Sequence, residues 1–401
     1  MDEQKPVGDL TTDFDILDPD YNLDPAPTWR DMRERCPIAH TEHWGGAWVA
    51  TKYDDIQALV KKTPVLSNRQ PTVFPLDDGK DPMADYFADL MPPLTKDPPE
   101  HSPLKRLLLP FFSMKAVEAH RSFTEQLCNE LIDGFIENGA CDAAEDYARQ
   151  ISPRVIGHLL GIEPGQSDQF VEWVQGFVEL GASNFELRSK SYRALRGFLD
   201  DEIAKRREDP GDDYISRLIA SELDGEPVPD ITILNMCMLL LVAGVDTTWS
   251  SIGSSLLHFA SHPNDRQRLV AEPELLGSAV EEMLRLHSPA SAGRIAMDDV
   301  EHNGITFERG ERLIMSLPSA NRDPAIFENP DEADIGRERN RHVAFGVGIH
   351  RCVGSNLARL EMEVALKAWF ARIPEFELSD PDAVTWSAGQ VRGARTVPVK
   401  F

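Results

Sequence analysis

One predicted helix limits what this chain can fold into more than any other feature. It is entered at Asp230 and runs over residues 231–261. Through 236–243 it is apolar on nearly all sides, so it must be enclosed by protein and lie at the centre of the fold. Its middle breaks that pattern with Ala243-Gly244-Val245-Asp246-Thr247-Thr248. Glycine, aspartate and threonine are poor choices inside a helix. A threonine hydroxyl can bond back to the carbonyl four residues earlier and bend the ladder. A buried Asp–Thr pair of this kind marks either a functional site or a kink without chemistry.

The second constraint is the stretch 345–354, Phe-Gly-Val-Gly-Ile-His-Arg-Cys-Val-Gly. It holds three glycines, a histidine, an arginine and a cysteine, and a helix-forming segment, 356–366, follows it. A glycine-rich loop entering a helix converges backbone N–H groups on one point, here Cys352. A thiolate in that position is expected to have a lowered pKa and to serve as a soft ligand for iron.

Composition narrows the functional classes. The 401 residues carry a net charge of −26 and are 41% apolar, which argues for a globular protein and against binding nucleic acid or an anionic membrane. Residues 1–20 are acidic and have no hydrophobic core region, so no signal peptide or anchor is expected there. The most apolar run, 236–243, is too short to span a bilayer. Five cysteines, Cys36, Cys128, Cys141, Cys237 and Cys352, include no close pair, which fits a reducing cytoplasm.

Along the chain, the first 25 residues read as an extended arm, followed by a short helix over 27–35. Strands over 38–43 and 47–51 turn at Gly45-Gly46, and a helix covers 53–62. The irregular, proline-rich stretch 63–99 carries Phe74, Met83, Phe87 and Met91, and reads as a lid or as a solvated loop with anchors. Helices then run to about residue 223. Among them, Phe170, Trp173, Phe177 and Phe185 form either a second lid or ordinary helix core. A helix over 274–287 places Glu282 and Arg285 on one face. Short strands through Ile305, Phe307 and 313–317, an irregular charged stretch over 321–342, and tail strands over 384–401 complete a mostly α chain with small β-sheets, read as one domain over 1–401.

Four of these features, in this order, resemble the cytochrome P450 family of haem-thiolate monooxygenases, of the soluble bacterial type. They are residues 243–248, Glu282-Met-Leu-Arg285, the stretch 321–342 and residues 345–354. The resemblance covers nearly the whole chain and implies haem b (iron protoporphyrin IX) as cofactor, with O2 as co-substrate. It makes Cys352 the axial ligand of the haem iron. Phe345 would shield the sulfur, Gly346 would lie in its loop, and Ala243 and Gly244 would leave room for dioxygen. His350, Arg294 and His101 would bond the haem propionates. Lys105 stands where the family usually has arginine, and a lysine offers a point charge in place of a fork. Glu282 and Arg285 would form the family's buried structural pair, braced near Arg322 or Arg339. Asp246 and Thr247 would be the catalytic pair, a carboxylate that turns between solvent and pocket and a hydroxyl that together deliver protons.

The resemblance further implies a small hydrophobic substrate held by Phe74, Phe87, Phe170, Phe177, Val242, Thr248, Ala290 and Val391. It implies electrons from a separate ferredoxin with an NAD(P)H-dependent reductase, docking on a basic face that includes Arg106, Arg341, Arg351 and Arg359. A haem-thiolate peroxygenase and a non-catalytic haem-binding sensor are the rival readings; the acid–alcohol pair argues against both.

Overall fold

The computed structural model describes residues 9, 11–70, 73, 91–178 and 184–401. Its centre is the helix Asp230–Ser261, the longest of those described. By length and composition this helix could cross a membrane, which the short run 236–243 alone did not show. It is instead a core helix, buried from Ile233 to Leu241 and again from Thr248 to Leu256. Between Ile231 and Ser261 only Ala243 is exposed.

Three hydroxyls on this helix are satisfied within it. Thr247 donates to the Ala243 carbonyl (2.9 Å), Ser251 to that of Thr247 (2.8 Å) and Ser255 to that of Ser251 (2.6 Å). Spacing by four puts each hydroxyl over the carbonyl one turn back, so a core helix carries hydroxyls without stranding them. Small residues let neighbours approach. A Cβ on Gly244 would come within 3.1 Å of Ile156 in the helix Arg149–Leu160. One on Gly253 would come within 3.3 Å of the Ala394 carbonyl in the tail.

Around this helix pack Arg121–Phe135, Arg149–Leu160, Ser167–Val178, Phe185–Glu208, Leu276–Leu286 and Ser355–Arg372. A five-stranded sheet lies beside them, in the order Ile38–Thr41, Ala47–Ala50, Arg312–Met315, Ala292–Ala296, Leu66–Ser67. Its pairs are antiparallel except Arg312–Met315 against Ala47–Ala50, which run parallel. A second core of Ile56, Leu59, Phe307, Leu313, Met315 and Phe327 forms under it.

Several expectations are corrected. Residues 11–25 of the expected extended arm are not extended: Phe14, Ile16 and Tyr21 are buried against Trp29 and the sheet, and Pro19–Leu23 is a helix capped by Asp18. The last strand of the 312 region ends at Met315, and Leu317 opens a short helix with Pro318 at its start. Phe170 and Phe177 are helix core: Phe170 packs against Gly157 and the Phe198 ring (6.0 Å), and Phe177 against the Tyr192 ring (5.6 Å). Phe74 and Phe87, with most of the proposed lid, lie outside the described residues.

Glu282 and Arg285 have no exposed side-chain surface. Arg285 grips both Glu282 oxygens (2.8 and 2.9 Å) and donates to the carbonyls of Asn321, Pro330 and Glu332. Removing one member strands the other charge. Glu282→Gln or Arg285→Leu is therefore expected to destabilise the fold by about 3–5 kcal/mol in a denaturant titration, where a surface pair would cost under about 1 kcal/mol.

Candidate functional site

The cysteine loop is a tight turn closed by two backbone bonds: Gly346 N–H to the Val343 carbonyl and Cys352 N–H to the Phe345 carbonyl, both 2.8 Å. Gly346 and Gly348 take φ of +66° and +73°, a region open to glycine and strained for other residues. This turn leaves Cys352 exposed, just ahead of the helix Ser355–Arg372. The expected lowering of its pKa is not found. Crowding by protein pushes the thiol up, outweighing the Gly354 N–H and the charges of Arg351, Lys105 and Arg359. Among the described residues no group of three or more His, Cys, Asp or Glu side chains could hold a metal ion.

Beside the loop the structure gathers nitrogen donors from three segments. His101 begins the helix His101–Leu108, Arg294 lies in the strand Ala292–Ala296, and His350 is in the loop. The two imidazole rings meet edge to face at 4.4 Å. Arg294 and His350 line one cavity of about 110 Å³, together with Asn68, Leu317, Gly346 and Gln390. Three buried nitrogens here have no hydrogen-bond partner among the described residues: His101 Nδ1, His350 Nε2 and Arg294 Nε. Burial drives all three groups toward their neutral forms. His350, depressed also by Arg294, His101 and Lys105, falls to about 3, and Arg294 falls to about 10 despite the nearby Asp97. His101 is lowered by burial and then by Lys105. A set of buried donors that repel one another is matched to anionic groups, and the two carboxylates of a haem fit it.

Lys105 is placed differently from the expectation. Its ammonium is held by the carbonyls of Ile349 and Arg351 (3.1 Å to the latter), so here it braces the cysteine loop from behind. Asp97 was not foreseen. It accepts from Ser67 and from the Asn68 N–H (3.1 Å), and lies 3.9 Å from His350 Nε2. The preceding proline-rich sequence gave no sign of that partnership.

The arginine that completes the Glu282 pair is Arg337 (3.1 Å), not Arg322 or Arg339. Arg322 instead holds Asp331 and the Leu286 carbonyl. Glu282 also accepts from Asn340 and from the Asp334 N–H, so one carboxylate binds several points of the irregular stretch. Its neighbour Glu281 ties that stretch to the cysteine helix through His342 (3.0 Å) and Arg359 (2.5 Å). Arg359 also lies over the Phe345 ring at 4.5 Å and is thereby withdrawn from the expected basic face. Arg106, Arg341 and Arg351 are exposed.

On the central helix, the exposed Ala243 and half-buried Thr247 mark its open side, while Thr248 is buried and Val242 half-buried. Asp246 does not face solvent. It is buried in an ion pair with Arg395 of the tail (2.6 Å) and accepts from Ser250 (3.3 Å). Burial raises its pKa, opposed by Arg395, Ser250 and Arg149. Ala290 and Val391 are brought together by an isolated antiparallel bridge.

Burial also pushes Glu281 up, but His342 and Arg359 outweigh it and bring the carboxyl to about 2, below its ordinary 4.5. A depressed carboxyl contributes stability above its unfolded pKa and loses it as pH falls through the folded value. Glu281→Gln should therefore lower stability at neutral pH and flatten the loss of stability between pH 4.5 and about 2, measured by denaturant titration across pH.

Three comparisons bear on this geometry. The family model for Cytochrome P450 matches residues 169–384. The chain is 34% identical to the polyketide biosynthesis cytochrome P450 PksS of Bacillus subtilis, over 95% of this chain and 97% of that one. It is 32% identical to the 6-deoxyerythronolide B hydroxylase of Saccharopolyspora erythraea, over 98% of this chain and all of that one. Among solved structures, CYP101J2 superposes with a TM-score of 0.88 at 29% identity, covering 100% of this chain and 99% of that one.

Proposed function

The chain belongs to the cytochrome P450 family and is a haem-dependent monooxygenase that uses O2, and from that premise we propose that it hydroxylates a small hydrophobic substrate with electrons from a ferredoxin. The observation that carries the reading is a cavity lined by Gly346 and His350 of the loop that exposes Cys352, together with Arg294, where buried donor nitrogens have no hydrogen-bond partner among the described residues.

Cys352 would hold haem b by its thiolate, and the haem would supply dioxygen binding and activation. The Gly354 N–H and the nearby arginines favour the thiolate over the thiol, and Phe345, fixed by Arg359, covers the sulfur side. His101, His350 and Arg294 would donate hydrogen bonds to the propionates, and Gly346 would let the loop backbone pass close by. Lys105 keeps the Ile349 and Arg351 carbonyls in place behind Cys352. Ala243 keeps the wall of the cleft shallow. Thr247, whose hydroxyl donates to the Ala243 carbonyl, would on leaving it donate toward the dioxygen side, and Asp246 would replenish its proton.

Val242, Ala290 and Val391 offer the substrate small or apolar surface, which suits an uncharged molecule. A relative named as the hydroxylase of 6-deoxyerythronolide B supports this class. For the electron donor, Arg106 and Arg351 stand with exposed Ile349, Leu109 and Met114 on the cysteine side of a chain that is otherwise strongly acidic. That face suits a small acidic redox protein. The five free cysteines suit a cytoplasmic setting.

The test is Thr247→Ala, driven by a surrogate ferredoxin and reductase on a substrate found by spin-state shift. Product formation should fall roughly 10²-fold while NADPH is still consumed and hydrogen peroxide accumulates. Unchanged product per NADPH would refute the assignment.

A further inference from the structure

Residues 286–291 join the helix Leu276–Leu286 to the strand Ala292–Ala296 and seat three distant parts of the chain. Arg322 of the irregular stretch donates twice to the Leu286 carbonyl (2.8 and 3.2 Å). The tail turn 387–393 docks through the Arg392 N–H on the Pro289 carbonyl (2.8 Å), the Ser291 N–H on the Gln390 carbonyl (3.0 Å) and the Ala290–Val391 bridge. The Arg392 side chain lies 3.7 Å from the centre of the Trp386 ring and reaches the N-terminal helix Pro19–Leu23. There it donates to the carbonyls of Asn22 (2.8 Å) and Leu23 (3.0 Å).

His287 belongs to this seat. Its ring meets the His258 ring at 5.5 Å, and the His262 ring stacks on His258 at 4.2 Å. The other two histidines are partnered. His258 Nε2 lies 2.9 Å from a carboxylate oxygen of Asp265, and the His262 Nδ1–H donates to the His258 carbonyl (2.9 Å). His287 Nε2 is buried with no hydrogen-bond partner among the described residues. The titratable groups facing His287 are His258 and His262 from the end of the central helix, Arg322 from the irregular stretch and Arg392 from the tail. All four disfavour a positive charge on it. The acids of this region face the other members. Asp265, in the helix Pro263–Ala271, and Glu282 face His258, while Asp24 faces both arginines and Asp331 faces Arg322. Burial and then these four neighbours hold His287 well below the ordinary 6.5 of a histidine.

We propose that His287 is an acid-sensitive latch: neutral, it lets the tail, the irregular stretch and the N-terminal helix share one seat; protonated, it adds a third cation beside Arg322 and Arg392 and drives the tail turn and the N-terminal helix off it. Above pH 6.5 the imidazole is neutral whether the seat is closed or open, and pH does not act on the latch. Below that value the open form binds a proton that the closed form refuses. The open population then rises about tenfold for each unit of pH. His258 adds less, because Asp265 is there to pair with its charge. Gln390 of the tail turn lines the cavity beside Arg294 and His350, so an open latch loosens one wall of that cavity.

The experiment is hydrogen exchange on the holoenzyme, read by peptide mass at pH 6.5 and 5.5 and corrected for the intrinsic pH dependence of exchange. Wild type is compared with His287→Gln and His287→Leu. Neither replacement titrates, and the leucine variant serves if the glutamine variant does not fold. In wild type, peptides spanning Pro19–Leu23 and residues 386–393 should open about tenfold more at pH 5.5, while those from 233–241 of the central helix keep their protection. Either folded variant should abolish the difference. Unchanged protection in wild type would overturn the proposal, as would an acid response that persists in a folded variant. Loss of protection at 233–241 together with the tail would also overturn it, because that marks general acid unfolding.

Discussion

The arrangement depends on one charge kept from water. Glu282 is fully buried, and burying a carboxylate costs several kcal/mol unless partners compensate for the lost water. Here they do: Arg285 with two bonds, Arg337, Asn340 and the Asp334 N–H. Apart from Arg285, these partners come from a stretch with almost no regular secondary structure. That stretch has few backbone bonds to order it, so the carboxylate does the ordering. Glu281 extends the tie to His342 and Arg359 and so to the cysteine loop. The exposed position of Cys352 rests on a buried ion pair more than ten residues of irregular chain away.

A second buried carboxylate works differently. Asp246 has one arginine and one hydroxyl where Glu282 has a full set of donors, and its pKa is raised where that of Glu282 is lowered. Burial raises both; the number of donors decides the outcome. A carboxylate saturated with donors is a structural fixture. One with few donors holds its proton more readily than an ordinary carboxyl.

Much of the candidate site was legible in the sequence because its residues lie in short local patterns. Cys352 and His350 share a loop, Asp246 and Thr247 share a helical turn, and Glu282 and Arg285 are spaced to face one way. The partners were not legible. Arg395 meets Asp246 across 149 residues, and Arg337 meets Glu282 across 55, with no pattern linking either pair. Arg322 and Arg339, equally placed in sequence, could not be told from Arg337 without the turn at Asp334. The aromatic residues near Phe170 misled for a related reason: helical spacing shows that a face is apolar but not what covers it. The first 25 residues hid a helix because its capping aspartate and buried anchors, Phe14, Ile16 and Tyr21, are few among acidic neighbours.

The central claim is that Cys352 binds haem iron through its thiolate. The direct measurement is the visible spectrum of the purified protein, reduced with dithionite under carbon monoxide. The account predicts a strongly red-shifted Soret band that disappears in Cys352→Ser. A band typical of histidine-ligated haem, or a protein that takes up no haem, would contradict it.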